Sequence, residues 1–319
     1  MKMTPAHIVG GSLVIFSAVL FIAVILPWAT ISETPSDIYR PRTSQEEEGR
    51  RIYVNNGCTF CHTQFIRNID WGHGAQRIAQ AGDYVADQPH LLGTERTGPD
   101  LSQEGGEHPD DWHIAHFLNP RFTRPESVMP SWAFLGQKKL EALTAYIQSL
   151  GFINADQRLE RQKIWKEKAI AAFEAGPDEN VRWLHAMVPE GWRKIVNPYP
   201  TTEVDLERGH RIYQSYCIGC HGPVGDGMGE AQPDLYPPPL NFTILRQRGI
   251  SGGILYYQIM NGITGTAMPY FKGELESAKI WDVGNYIAVT FIGESDAGTG
   301  GDGIPAAYEN FTKDPEGEQ

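Results

Sequence analysis

The sequence predicts a mainly α-helical protein, in which one N-terminal transmembrane helix precedes two small helical domains joined by a helical connector. Three observations predict this fold class. Residues 8–28 contain no charged side chain, a short helical pattern followed by Cys-x-x-Cys-His occurs twice, and each copy closes on apolar and aromatic residues at helical spacing. The 319 residues are enough for two domains with connecting segments.

The N-terminal segment is apolar enough to cross a bilayer once. A helix needs about 20 apolar residues to span the hydrocarbon core, and residues 8–28 provide that length. A cleaved signal peptide is the competing interpretation, but the apolar run exceeds a typical signal-peptide core and no small-x-small cleavage site follows it. We therefore expect a retained anchor over residues 1–30, followed by a proline-containing tether over residues 31–43.

The charge balance limits the partners. Asp and Glu outnumber Lys and Arg by 39 to 27, which gives a formal net charge of −12. A nucleic-acid partner would require a Lys- and Arg-rich face to neutralise its phosphates, so the composition argues against one. An acidic surface suits a basic protein partner, although such a charge also serves solubility alone. The negative mean hydropathy excludes a polytopic membrane protein.

An internal repeat divides the rest of the chain into two domains. Gly49 and Gly209 occupy matching places in the first helical pattern of each copy, and Tyr146 and Tyr286 occupy matching places in the closing patterns. A glycine facing an aromatic residue lets two crossing helices approach closely, so we expect each glycine to meet the closing helix of its own copy. The repeat predicts domains at residues 44–152 and 203–293.

The segments outside the two copies differ in character. Residues 153–202 contain a charged helical pattern that ends at Gly176-Pro177, so we expect a helical connector. Residues 294–319 form a Gly- and acid-rich tail that could not bury a core by itself. The long insertion between His62 and Pro99 and this tail are predicted to be surfaces for a partner or to be disordered.

All four cysteines belong to the repeated pentapeptide. In Cys-x-x-Cys-His the two thiols, three positions apart on one helical turn, add to the two vinyl groups of haem, and the adjacent imidazole faces the iron. A zinc site would need further ligands, and a thioredoxin-like pair lacks the histidine. The sequence therefore predicts two covalently attached haems c, held by Cys58, Cys61 and His62 and by Cys217, Cys220 and His221.

The sixth iron ligand is predicted from position. Met129 and Met268 each precede a proline and lie in a loop ahead of a closing helix, where either loop can fold over the far haem face. A thioether ligand raises the reduction potential, as suits a carrier that cycles between two oxidation states. The other candidates are less well placed in the sequence: Met187, Met228 and Met260, and for bis-His coordination His73, His90, His108, His113 and His116.

Three further residues are candidates for contacts around the haems. Pro99 and Pro239 are expected to offer backbone carbonyls to the Nδ1 atoms of the two motif histidines, which would fix their tautomers. Arg96 is expected to meet a haem propionate, because a guanidinium forms charge-assisted hydrogen bonds with carboxylates.

Both domains resemble class I cytochromes c in their order of helix, Cys-x-x-Cys-His, Gly/Pro loop, Met-Pro loop and closing helix. The first domain also resembles the monohaem subunit of C-family (cbb-type) haem-copper oxidases. This second resemblance covers the anchor and residues 44–152, and it rests on Tyr53-Val54 and on residues 96–101, 110–116, 119–121 and 125–130. That family normally carries one haem, whereas a second cytochrome domain follows here.

The resemblance implies a membrane-anchored dihaem cytochrome c that relays electrons to the polytopic catalytic subunit of a haem-copper oxidase. A redox protein would act as donor or acceptor. Alternatives are a free-standing shuttle between complexes, a nitric oxide reductase subunit or a dihaem peroxidase. We expect no catalytic centre, because one span without internal histidine cannot hold a high-spin haem beside a second metal. Haem c attachment outside the cytoplasm predicts a single-pass protein of the bacterial inner membrane with its haem domains on the periplasmic side.

Overall fold

The computed structural model describes residues 4–31, 34–73, 77–91, 93, 95–199, 201–248 and 250–293. These residues are mainly helical and contain no β-strand, which confirms the predicted fold class. The predicted C-terminal tail lies outside the described residues. The helices are α1 (Pro5–Thr30), α2 (Ser44–Asn55), α3 (Asp110–Leu118), α4 (Pro120–Thr123), α5 (Gln137–Gln148), α6 (Phe152–Glu174), α7 (Pro177–Ala186), α8 (Glu190–Arg193), α9 (Glu203–Tyr216), α10 (Ile218–His221), α11 (Gly252–Asn261) and α12 (Ser277–Ile287).

The N-terminal helix α1 is mostly apolar, and none of its residues is buried by the rest of the described chain. It is the one helix among the described residues that is long and apolar enough to cross a membrane. Its turn at Phe21–Ile25 is π-helical and ends two residues before Pro27, whose ring removes one backbone donor. The helix is compatible with the predicted single-pass anchor.

Each copy of the repeat is built on the same helix crossing. In the first domain α2 crosses α5, and a Cβ atom added to Gly49 would meet the Ala142 carbonyl and lie 2.7 Å from the Cβ of Tyr146. In the second domain α9 crosses α12, and a Cβ atom on Gly209 would lie 2.8 Å from the Cβ of Tyr286. The predicted meeting of each glycine with its closing helix is confirmed. The backbones approach because glycine leaves no side chain between them.

Both first helices also begin in the same way. The Thr43 side chain accepts a hydrogen bond from the Glu46 backbone N–H at 3.3 Å, and the Glu46 side chain accepts one from the Thr43 N–H at 2.7 Å. Thr202 and Asp205 form the equivalent reciprocal pair at the start of α9. Such capping boxes satisfy two backbone donors that have no partner within the helix.

The insertion between His62 and Pro99 is held on the first domain by ion pairs. Asp87, on this insertion, is buried between Arg42 and Arg50, and Arg50 also donates to the carbonyls of Gln88 and Pro89. Arg77 pairs with Asp83 at 2.5 Å. Ile66 is buried as well, and the Tyr84 ring packs on Phe152 at a centroid distance of 5.8 Å. Ion pairs leave no periodic apolar pattern in the sequence, so most of this packing was not predicted.

The predicted tether is bound to the same domain. Ile38 is buried, and its carbonyl accepts a hydrogen bond from the Ile153 N–H at 3.0 Å. Arg40 bridges Glu46 and Asp156, at 2.8 and 2.7 Å. The stretch around Ile38 and Arg40 is therefore part of the first folded unit.

The connector contacts both domains. On the first-domain side of α6, Arg158 donates to the Gly105 carbonyl at 2.7 Å. On the other side, the Gln162 side chain accepts from the Gly265 N–H at 2.7 Å. Helices α7 and α8 then place Val181 and Trp192 in the apolar core of the second domain. The predicted connector is helical, as expected. Its second half contributes to the core of the second domain, so that domain's core includes residues before 203.

Candidate functional site

The first Cys-x-x-Cys-His motif lies directly after α2. Gly57, with φ 72°, reverses the chain, and residues Cys58–Phe60 form one tight turn. The His62 N–H donates to the Cys58 carbonyl at 3.0 Å, which places cysteine and histidine on one turn. The Nδ1 of His62 lies 2.9 Å from the Pro99 carbonyl oxygen. This leaves Nε2 as the nitrogen available to a metal.

The second motif repeats this geometry with one difference. The His221 N–H donates to the Cys217 carbonyl at 2.9 Å, and Nδ1 of His221 lies 3.2 Å from the Leu240 carbonyl oxygen. The acceptor is thus Leu240, and not Pro239 as the sequence analysis expects. The Pro239 carbonyl faces Gly227 instead. The turn through residues 237–239 is shifted by one position from that around Pro99.

An apolar cavity brings the second set of predicted residues together. Its wall contains Cys217, Cys220, His221 and Met268. The Met268 loop is held by its own backbone, since the Met268 carbonyl accepts from the Ile263 N–H at 3.1 Å. A cavity with two thiols and an imidazole on one side and a thioether in its wall fits a covalently attached haem.

Met129 packs on the core cluster of the first domain, as does Cys58. Arg121 fixes its loop by donating to the Met129 carbonyl at 2.7 Å. The Nε2 of His116 lies 3.2 Å from the Met129 sulfur. The Nε1 of Trp132, in the same cluster, is buried without a hydrogen-bond partner among the described residues. An unpaired buried donor beside a thioether fits a bound group that carries an acceptor.

Arg96 is already paired. Its Nε donates to Thr63 at 2.8 Å, and both terminal nitrogens reach Asp70 at 3.0 Å. Arg67 and Arg96 together hold the pKa of the Asp70 carboxyl well below its usual range. The contact of Arg96 with a propionate stays a prediction, and the structure assigns this guanidinium to the insertion.

Burial sets the charge of the motif side chains. It lowers the pKa of His221 to about 4 and lowers that of His62, so both imidazoles are neutral at neutral pH. It raises the pKa of the Cys58 and Cys217 thiols to about 12. A neutral imidazole is the form that ligates iron.

A stacked aromatic group lies between the two sites, and the sequence analysis did not identify it. The His108 and His116 rings lie on the Trp112 ring at centroid distances of 3.8 and 4.9 Å, with interplanar angles of 14° and 6°. Trp112 also lines the cavity of the second domain. Trp112 and His116 lie four residues apart on α3, which puts their rings on one helical face, and this interval is the signal that could have revealed their contact; His108 lies just before the helix.

Two family models match the chain. The model described as "Cytochrome C oxidase, mono-heme subunit/FixO" matches residues 2–179, more than half of the chain, and the model described as "Cytochrome C oxidase, cbb3-type, subunit III" matches residues 204–287. No curated protein matches the sequence. Among solved structures, a chain of the Kuenenia stuttgartiensis reducing HAO-like protein complex is 19% identical, with 80% of this chain and 99% of that chain covered. Its TM-score of 0.28 supports no structural argument.

Proposed function

The chain belongs to the family of mono-haem FixO subunits of cytochrome c oxidase, continued by a cbb3-type cytochrome c domain, and we propose that it relays electrons through two haems c to a haem-copper-type catalytic subunit. Membership makes it an electron-transfer cytochrome c with haem c as cofactor. The number of haems, their ligands, the side of the membrane and the partner are the proposal.

Each domain would hold one haem through its own residues. Cys58 and Cys61 in the first domain, and Cys217 and Cys220 in the second, would form the thioethers. The motif histidine and the loop methionine would be the axial pairs, His62 with Met129 and His221 with Met268. When bound, the haem iron supplies a centre that alternates between ferrous and ferric states. The Pro99 and Leu240 carbonyls would fix the proximal rings.

The observation that carries this proposal is the duplicated proximal geometry. In both domains the motif histidine follows its cysteine by one turn, and its Nδ1 lies within hydrogen-bond distance of a backbone carbonyl. Two copies of one arrangement, each with a neutral imidazole, support two haems in one chain.

The membrane part of the proposal rests on α1. We propose that this helix spans the bacterial inner membrane once, that the haem domains lie on the periplasmic side, and that the helix packs against the polytopic catalytic subunit. No side chain of α1 is buried by the rest of the described chain, so its whole surface is left for lipid or another subunit. A redox protein would supply the electrons, and the acidic surface suits a basic one.

Haem stoichiometry and ligand variants test the assignment. The purified chain should contain two haems c, and Cys217→Ala with Cys220→Ala should leave one. Met129→Ala and Met268→Ala should each remove half of the weak ferric charge-transfer band that methionine ligation produces. Met228→Ala is the matched control, because this methionine is 72% exposed in the second domain. Retention of the full band in either ligand variant would reject that methionine.

Mild detergent extraction tests the partner. A haem-copper catalytic subunit should co-purify with the chain. Migration of the chain alone on native gels would favour the free-standing shuttle, and co-purification with a nitric oxide reductase would name the other complex. A high-spin ferric spectrum in one domain would instead support a peroxidase.

A further inference from the structure

The two haem sites are separated by a packed interface. Helix α4 of the first domain lies against α10, which carries most of the second Cys-x-x-Cys-His motif, and α3 lies against the turn at Gln232–Asp234. At this contact Ala115, Ala231 and Ala267 are buried together with Leu235, and Trp112, Phe122 and Cys220 pack around them. Small side chains let the backbones approach closely: the Phe122 carbonyl oxygen lies 3.9 Å from the Cys220 sulfur, and Thr123 lines the cavity of the second site.

Two aromatic rings cross this interface. The Nε2 of His116 lies 3.2 Å from the Met129 sulfur, and the His116 ring stacks on Trp112 at 4.9 Å with an angle of 6°. Trp112 in turn lines the cavity that contains Cys220 and His221. The rings therefore make a continuous contact from the methionine of the first site to the wall of the second.

Both rings are held in place by other groups. The Nδ1 of His116 lies 2.7 Å from the Thr123 hydroxyl. Asp111, next to Trp112, accepts from Lys166 on the connector at 2.6 Å and from the Tyr236 N–H of the second domain at 3.1 Å. An ion pair of 2.6 Å between Arg124 and Glu274 also joins the domains. The spacing of the two sites is thus fixed by contacts on each side of the stack.

We infer that Trp112 and His116 form an aromatic bridge through which the two haem sites exchange electrons. This rests on the proposed function, because it requires a haem in each domain. One electron leaves a ferrous iron, which becomes ferric, and reduces the ferric iron of the other site. No bond breaks and no proton moves. The two stacked rings shorten the through-space gap that the electron crosses between the two sites.

The test measures internal electron exchange in the full, detergent-solubilised chain after rapid photoreduction of one haem. Trp112→Leu should slow the exchange severalfold, and Trp112→Phe, which keeps a ring at this position, should restore most of the rate. Trp165→Leu is the control, because Trp165 lies on α6 beside Gly265 and does not line the second cavity. The reduction potential and the charge-transfer band of each variant are measured as well, because Trp112 lines the second cavity and His116 contacts Met129, so that exchange rates are compared at a known driving force.

Each outcome decides the inference. An unchanged exchange rate in Trp112→Leu, or equal slowing in Trp165→Leu, would overturn the bridge. If Trp112→Leu does not load two haems, His116→Leu compared with His116→Phe interrupts the same contact from the other ring. A parent chain with fewer than two haems would reject the proposed function instead, so the two failures are distinguishable.

Discussion

The two cytochrome domains share one scaffold but are stabilised by different chemistry. Around the helix crossing of the first domain, Arg42, Arg50 and Asp87 are buried as ions, with side-chain exposures of 3, 7 and 2%. In the second domain one ion pair, between Asp282 and the partly exposed Arg208, lies at the crossing. The packing beyond this pair is aromatic, with Trp192 stacked on Tyr256 at 5.7 Å and Tyr256 on Trp281 at 4.5 Å. The comparison teaches that the crossing and the haem motif are the constrained parts, whereas the surrounding material is free to be ionic or apolar.

The largest effect should come from the shared crossing. Gly49→Val and Gly209→Val should each prevent folding and haem loading of their own domain, because the new side chain meets a carbonyl of the closing helix. Arg51→Val and Arg211→Val are matched controls two residues further on, where both side chains are exposed. Haem content per chain and protease resistance of each domain give the readout. Full loading in either glycine variant would show that the crossing is not the shared constraint.

Trp192 tests the apolar side of the comparison. It is 6% exposed in the second core although it belongs to the connector. Trp192→Ala should lower the free energy of unfolding of the second domain by about 3–5 kcal/mol and leave the first domain unchanged. Denaturant unfolding followed at the second haem measures this. A fragment that starts at residue 203 lacks Trp192 and should be destabilised in the same way. If that fragment were as stable as the parent domain, the second domain would begin at residue 203.

Asp87 tests the ionic side. Asp87→Asn keeps the shape of the side chain but removes its charge between Arg42 and Arg50, so Arg50 loses its counter-ion and Arg42 keeps only the half-exposed Glu47 at 3.6 Å. We expect a loss of about 3 kcal/mol in the free energy of unfolding of the first domain. Glu48→Gln is the control, because its ion pair with Arg51 is exposed and should contribute under about 1 kcal/mol. Equal effects of the two variants would show that burial does not matter here.

The last effect concerns pH and is measured as a slope. Burial lowers the pKa of His113 to about 3, whereas an unfolded imidazole titrates near about 6.5. As the pH falls, the imidazole of the unfolded chain binds a proton before that of the folded chain, and this favours unfolding. The folded state therefore keeps its full stability above about pH 6.5 and loses stability as the pH falls toward 3. His113→Phe should reduce the slope of the first domain's free energy of unfolding against pH by about 1.4 kcal/mol per pH unit between about pH 6.5 and 3. Burial raises the pKa of Glu104 to about 8, so this carboxyl makes the first domain less stable as the pH rises. Its contribution is the same in parent and variant and cancels in the comparison.

The denaturant midpoint of the first domain, measured at several pH values in parent and variant, provides that comparison. The second domain is the internal reference and should respond identically in both proteins. Parallel pH curves for the first domain would contradict the assignment of a buried neutral imidazole at His113.

The parts predicted from sequence are those fixed by local spacing. The motif turn and the meeting of Gly49 with Tyr146 follow from residue intervals, and both occur as expected. The parts that were missed depend on how distant segments dock. Leu240 replaces Pro239 as acceptor because a loop shifts by one residue, and Trp192 enters the second core because the connector folds back. Ion pairs such as Asp87 with Arg50 carry no periodic apolar signal, so the docking of the described part of the insertion could not be recognised.

The binding of the tether segment to the first domain has a geometric consequence. The Ser36 N–H donates to the Gly82 carbonyl at 3.1 Å, Asp37 pairs with Arg77 at 3.0 Å, and Ile38 is buried. Ile31 directly follows the last turn of α1, so five peptide steps separate Ile31 from the hydrogen-bonded Ser36. A fully extended chain covers about 3.3–3.6 Å per residue, so Ser36 lies at most about 18 Å from Ile31. If α1 spans the bilayer, the face of the first domain that binds Ser36 stays within that distance of the end of α1. The domain then meets only partners that lie close to its own transmembrane helix.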